Sequence, residues 1–80
     1  MEPSEIYDKL RDIFHEVFDD ESIDVKPDLT AKDVDGWDSI TNIRLMLTVQ
    51  KAFRVKFSTS EVGTLKDVAD LAALIQKRAN

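Results

Sequence analysis

The run Asp35-Gly36-Trp37-Asp38-Ser39-Ile40 sets a serine hydroxyl between an acidic loop and the start of a helix. Asp38 is a good N-cap, because its carboxylate can accept the free amide protons of a first helical turn. Gly36 supplies a flexible bend just before it. Ser39 is therefore expected at the exposed mouth of a long helix. Capping alone would explain an Asp-Ser pair at such a place. Hydrolysis through Ser39 would need a general base beside the nucleophile. His15 is the single histidine, flanked by Phe14 and Glu16, and it reads as a surface residue of a charged helix rather than a triad member. No catalytic residue is assigned, and the chain is not read as an enzyme.

Metal chemistry fares no better. The connection over residues 19–38 is rich in Asp, yet Asp33-Val34-Asp35-Gly36 places its glycine too early for an EF-hand loop. A solvated acidic loop is the expectation. There is no cysteine, so neither a disulfide framework nor a thiolate metal site is available.

Composition bounds the rest. Eighty residues make one small domain, residues 1–80. Two glycines and two prolines favour long helices over a turn-rich β fold. Met1 to Ile6 lacks the basic segment and apolar run of a signal peptide. No stretch approaches a membrane span, and a cytoplasmic monomer is expected. The net charge of −5 divides into −9 over residues 1–38 and +4 over residues 39–80. Such a chain is a poor binder of phosphate backbones, so nucleic acid is not an expected partner.

The elements that must position Ser39 follow from periodicity. Ile6, Leu10, Ile13, Phe14, Val17 and Phe18 step by three and four and predict a helix over Pro3–Phe18. The acidic connection should be pinned to the core by Val25, Leu29 and Val34. A second helix is expected over Ser39–Phe53, with Leu45, Val49, Ala52 and Phe53 facing the core. Ile40, Ile43 and Leu47 form a further apolar stripe on an adjoining face, with Met46 bridging the two. That stripe is read as an exposed docking strip next to Ser39.

Phe53 to Phe57 reads as an extended link with Phe57 buried. Ser58 and Glu61 form a capping-box pattern for one short helical turn, anchored by Val62 and ended by Gly63. Thr64 and Asp67 repeat the pattern and should open a last helix reaching about Arg78. Its inward residues are Val68, Leu71, Ala72 and Ile75, with Leu74 alongside. The fold class is all-α: a small antiparallel bundle of three main helices plus one short helix.

The segment Gly36-Trp37-Asp38-Ser39-Ile40, the Phe53–Phe57 link and the stretch from Gly63-Thr64-Leu65 to Asp67-Val68 together resemble the acyl carrier protein family. In that family an Asp-Ser-Leu motif carries 4'-phosphopantetheine on its serine, at the start of the second helix. Ile40 stands here for the usual leucine, which keeps a branched aliphatic group. The resemblance covers nearly the whole chain, and aryl, peptidyl and D-alanyl carrier domains share the same layout.

What the resemblance implies is a shuttle. A phosphopantetheinyl transferase would move the arm from coenzyme A onto Ser39, with Asp38 in the flanking motif. The arm's thiol would hold acyl groups as thioesters for acyl-loading and acyl-transferring enzymes. Trp37, Ile40, Ile43, Arg44 and Leu47 are the expected partner-binding residues, although Trp37 is also expected to be partly buried.

One feature departs from the family pattern. Fatty-acid carriers are strongly acidic on the second helix, whereas Ser39 to Arg54 holds Arg44, Lys51 and Arg54 and no acid. A dedicated pathway, rather than bulk fatty-acid synthesis, is the corresponding expectation. The alternative from another class is a passive helical interaction module, unmodified at Ser39 and bound through Ile40, Ile43 and Leu47. A free-standing chain is expected. The acyl cargo is not readable from periodicity.

Overall fold

A computed structural model describes residues 2–79 and contains, among them, four α-helices, one short 3-10 turn and no strand. We label the helices α1 (Pro3–Phe18), α2 (Ser39–Phe53), α3 (Thr59–Gly63) and α4 (Val68–Ala79). The first two match the ranges expected from periodicity. Helix α1 packs against both α2 and α4. The core is aliphatic with a central aromatic: Phe14, Ile6, Leu10, Leu45, Leu71, Ile75, Val49 and Val68 are its largest fully buried side chains. Helix packing rather than propensity stabilises segments of this length.

Several details differ from the sequence reading. Ala52 is exposed, and Met46 takes its place in the core of α2. At roughly 100° per residue, Leu45, Met46, Val49 and Phe53 span about 100°, and Ala52 falls just outside that arc. The same geometry places Ile40, Ile43 and Leu47 nearly opposite the core, not on an adjoining face. Their exposures of 78%, 63% and 59% agree.

The link after α2 also differs. Val55 is buried while Phe57 is only half-buried. Arg54 ends α2 in the left-handed conformation (φ 56°), and the Val55 amide returns to the Gln50 carbonyl at 3.0 Å. The Gln50 side chain then receives the Phe57 amide at 2.9 Å. Gln50 thus ties down a chain that has no strand partner.

Helix α3 forms through the Ser58–Glu61 capping box as expected. The Ser58 hydroxyl accepts the Glu61 amide at 3.1 Å, and Glu61 accepts the Ser58 amide at 2.9 Å. Gly63 is the last residue of α3, but Thr64 closes it by donating its hydroxyl to the Glu61 carbonyl at 2.8 Å. The predicted Thr64–Asp67 box is therefore absent. Asp67 itself accepts the Asp70 amide at 3.0 Å, and Asp70 reaches back to the Lys66 amide at 3.0 Å. The Thr64 hydroxyl turns toward the helix before it and accepts no amide of the helix after it.

Glu61 also pairs with Arg78 of α4. The Ser58 amide first, and then the Arg78 guanidinium, hold the Glu61 carboxyl at about 2, below the ordinary 4.5. A depressed folded-state value stabilises the fold above pH 4.5 and loses that contribution as pH falls toward 2. Glu61→Gln should accordingly flatten the acid limb of stability between those values, measured by thermal melts across pH. An unchanged acid limb would show that Glu61 is not linked to folding.

Candidate functional site

The loop that delivers Ser39 is held at both ends. His15, expected on the surface, is half-buried and donates its Nε2 proton to the Ile23 carbonyl at 2.8 Å. Farther along, the carbonyls of Pro27 and Leu29 accept the Ala69 and Val68 amides at 2.8 and 3.0 Å. The loop backbone thus satisfies orphan donors at the start of α4, the groups every helix leaves unpaired at its N-terminus. Val34 is buried; Ile23, Val25 and Leu29 pack against the core as partly buried anchors. Ile23, His15 and the α4 contacts were not among the expected anchors, since backbone pairing leaves no trace in side-chain pattern.

The last turn of the loop aims the site. The Trp37 amide donates to the Val34 carbonyl at 3.3 Å across Asp35-Gly36, and Gly36 has φ +86°. That positive angle at the third position of the turn selects glycine. Space is not the constraint, since a Cβ at Gly36 would meet nothing within 4 Å; backbone conformation is.

Trp37 then folds inward. Its ring stands edge-on to Phe14 with centroids 5.3 Å apart, and lies 6.0 Å from Phe18. Its indole N–H donates to the Asn42 side-chain oxygen at 2.9 Å. This links the loop to the first turn of α2, beside Ser39. Such aromatic pairs add roughly 0.5–1.5 kcal/mol beyond the area they bury. Partial burial of Trp37 is thus observed, and its inward face is occupied by α1.

Asp38 adopts an extended backbone and accepts the Thr41 amide at 2.8 Å, while its carbonyl accepts the Asn42 amide at 2.8 Å. The Thr41 amide lowers the Asp38 carboxyl below the usual carboxylate range. Ser39 is the first residue of α2 and is exposed. The Asp38 carboxylate serves the Thr41 amide and draws on that of Ile40 as well, which leaves the Ser39 amide in the open first turn, where helix dipole and N–H groups favour an anion. Asp38→Ala should speed hydrogen exchange at the Thr41 amide, and Asp38→Asn should restore protection, because asparagine caps as well as aspartate. Equal protection in Asp38→Ala would mean that the cap does not hold this turn.

A cleft of about 300 Å³ opens beside Ser39 between α2, the α3 region and α4. Trp37, Met46, Val62, Leu65 and Leu71 give it apolar walls, and Asp38, Asn42, Lys66 and Asp67 line it as well. Of the remaining expected partner-binding residues, Ile40, Ile43, Arg44 and Leu47 are all exposed on α2 and lie outside this cleft. Among the described residues no cluster of His, Cys, Asp or Glu is arranged to hold a metal ion, and no helix is long and apolar enough to cross a membrane. The open helix start, the exposed hydroxyl and the adjoining cleft fit an anionic arm carried on Ser39.

Comparison with known proteins agrees with this geometry. The profile of a family described as "Phosphopantetheine attachment site" matches residues 8–75. Among solved structures, the chain is similar to a holo acyl carrier protein from Geobacter metallireducens. The two share 38% identity over 91% of this chain and 84% of the other, with a TM-score of 0.86. A search of curated proteins found no match. A profile match across most of the chain, with a structural relative of this identity, places it among carriers rather than catalysts, with covalently attached 4'-phosphopantetheine as the cofactor. The chain belongs to the acyl carrier protein family.

Proposed function

We propose that this carrier bears its 4'-phosphopantetheine on Ser39, holds acyl groups as thioesters on the arm, and passes them between enzymes of a dedicated pathway. The observation that carries the assignment is Ser39 itself: an exposed hydroxyl at the first position of α2, beside the Asp38 cap. In the loading step the Ser39 oxygen attacks the phosphorus of coenzyme A that bears the pantetheine. A new P–O bond forms there and the bond between the two phosphates breaks. The adenosine bisphosphate half leaves, and the serine proton passes to a base of the phosphopantetheinyl transferase. The product is a phosphodiester, whose negative charge would be favoured by the open Ser39 amide and the dipole of α2.

The chain needs no cysteine of its own, because the thiol arrives with the arm. A flexible tether then holds the acyl group at high effective concentration for acyl-loading and acyl-transferring enzymes. The cleft lined by Trp37, Met46, Val62, Leu65 and Leu71 is the natural resting place for the apolar part of a small cargo. We place the carrier in the cytoplasm as a monomer. A specialised pathway is supported by the charge of α2, which carries Arg44 and Lys51 and no acid.

The test is the intact mass after incubation with coenzyme A and a promiscuous phosphopantetheinyl transferase. One phosphopantetheine increment is expected. A folded chain that gained none would return the reading to an unmodified helical interaction module.

A further inference from the structure

The outer face of α2 carries a chemistry of its own, separate from the hydroxyl that receives the arm. Ile40, Ile43 and Leu47 fall within roughly 60° of one another around the helix, directed away from the core, and all three are well over half exposed. Scattered surface aliphatics need no explanation, but three aligned on one helix face form a patch. Arg44 and Lys51 flank that line; Arg54 and Lys56 continue it past the end of α2. The stretch from Ser39 to Ser60 holds these four cations and no carboxylate. None of the four is in an ion pair among the described residues.

At the far end the patch deepens into a groove of about 600 Å³. It is lined by Leu47, Gln50, Lys51, Arg54, Val55 and Lys56. The opposite end of α2 is capped by the exposed Asp38 carboxylate, with Asp33 and Asp35 in the loop that leads to it. The docking face therefore runs from negative at the attachment point to positive at the end of α2.

We propose that this face docks folded partner enzymes through an apolar hollow rimmed by Asp and Glu, with Leu47 and Ile43 seated in the hollow and Lys51, Arg54 and Lys56 meeting the acidic rim. The inference rests on the carrier reading and adds the chemistry of the partner to it. Charge complementarity decides among occupants. An anionic lipid surface would attract the four cations but repel a chain of net charge −5, whose acidic loop leads directly into α2. A folded partner can match both ends at once. Its acidic rim sets the orientation that brings its active site to Ser39, and complementary fields of this kind act chiefly on the association rate.

The test uses two forms of one phosphopantetheinyl transferase: one with a basic carrier-binding face, and a counterpart with those bases changed to glutamate. Loading of the carrier is measured as kcat/KM at low and high salt. The native carrier should be loaded roughly tenfold faster by the acidic-faced form, with the advantage shrinking as salt rises from about 50 to 500 mM. The carrier variant R44E/K51E/R54E, checked for fold by circular dichroism, should reverse the preference. Because Arg54 caps α2 with a left-handed backbone, K51E/K56E serves as a second variant and should move the preference the same way.

Faster loading of the native carrier by the basic-faced form, unmoved by either variant, would overturn the proposal and transfer docking to Asp33, Asp35 and Asp38. Binding to anionic phospholipid vesicles, or a dimer in sedimentation, abolished by the same substitutions would overturn it too. Those results would assign the face to lipid or to a second copy. Absence of any loading by either transferase form would instead defeat attachment at Ser39, a failure separate from the sign of the charge effect.

Discussion

Phe14→Ala should be the most destabilising single substitution in this chain. Phe14 is fully buried and meets Phe18 at 5.7 Å and Trp37 at 5.3 Å between ring centroids. Truncating such a phenylalanine costs about 3–5 kcal/mol, the sum of lost transfer energy and the cavity left behind. A domain of this length has roughly 4–12 kcal/mol of total stability to lose. The melting temperature should fall by on the order of 20 °C, with a fraction unfolded already detectable at 37 °C. The consequence reaches the site, because the ring that Phe14 supports is bonded to Asn42 in the first turn of α2. Trp37 fluorescence should therefore change in the folded population as well as on melting, and Phe14→Leu should recover most of both. A drop of less than about 5 °C would show that the aromatic cluster does not anchor the loop.

The helices were legible in the sequence because their apolar stripes are long and regular. Pro3–Phe18 and Ser39–Phe53 are read from period alone, and the Ser58–Glu61 box announces α3. What escaped was decided by competition between neighbours. Thr64 and Asp67 have the spacing of a capping box, but Thr64 closes α3 first, so Asp67 caps α4 without it. Met46 and Ala52 exchange places because a few tens of degrees around a helix decide burial, and alanine contributes little to a core in any case.

The site was legible for a different reason. Asp38 and Ser39 are adjacent, and a cap followed by the first helical residue requires no tertiary information. Trp37 was readable only as partly buried. Its partners Phe14 and Asn42 lie on different helices, and the resulting bridge exists only in the folded chain. The loop's fastening to α4 through Pro27 and Leu29 is carried by backbone carbonyls, to which side-chain pattern is blind. The cleft beside Ser39 likewise depends on three segments that periodicity treats separately.

Ser39→Ala should abolish loading while leaving the fold intact. The side chain is exposed, and the cap of α2 is made by Asp38, so removing one hydroxyl leaves helix and core untouched. The effect should be complete, because the proposed attachment is to that oxygen and no other serine or threonine stands first in a long helix behind an Asp cap. Its neighbour Thr41 is half-buried one turn in and offers no equivalent. The decisive measurement is intact mass for both proteins after the same incubation with coenzyme A and a promiscuous phosphopantetheinyl transferase, with matching circular dichroism spectra as the control for folding. One phosphopantetheine increment on the native chain and none on Ser39→Ala is the expected result. Equal increments on both would move the attachment to another hydroxyl and contradict the assignment of Ser39.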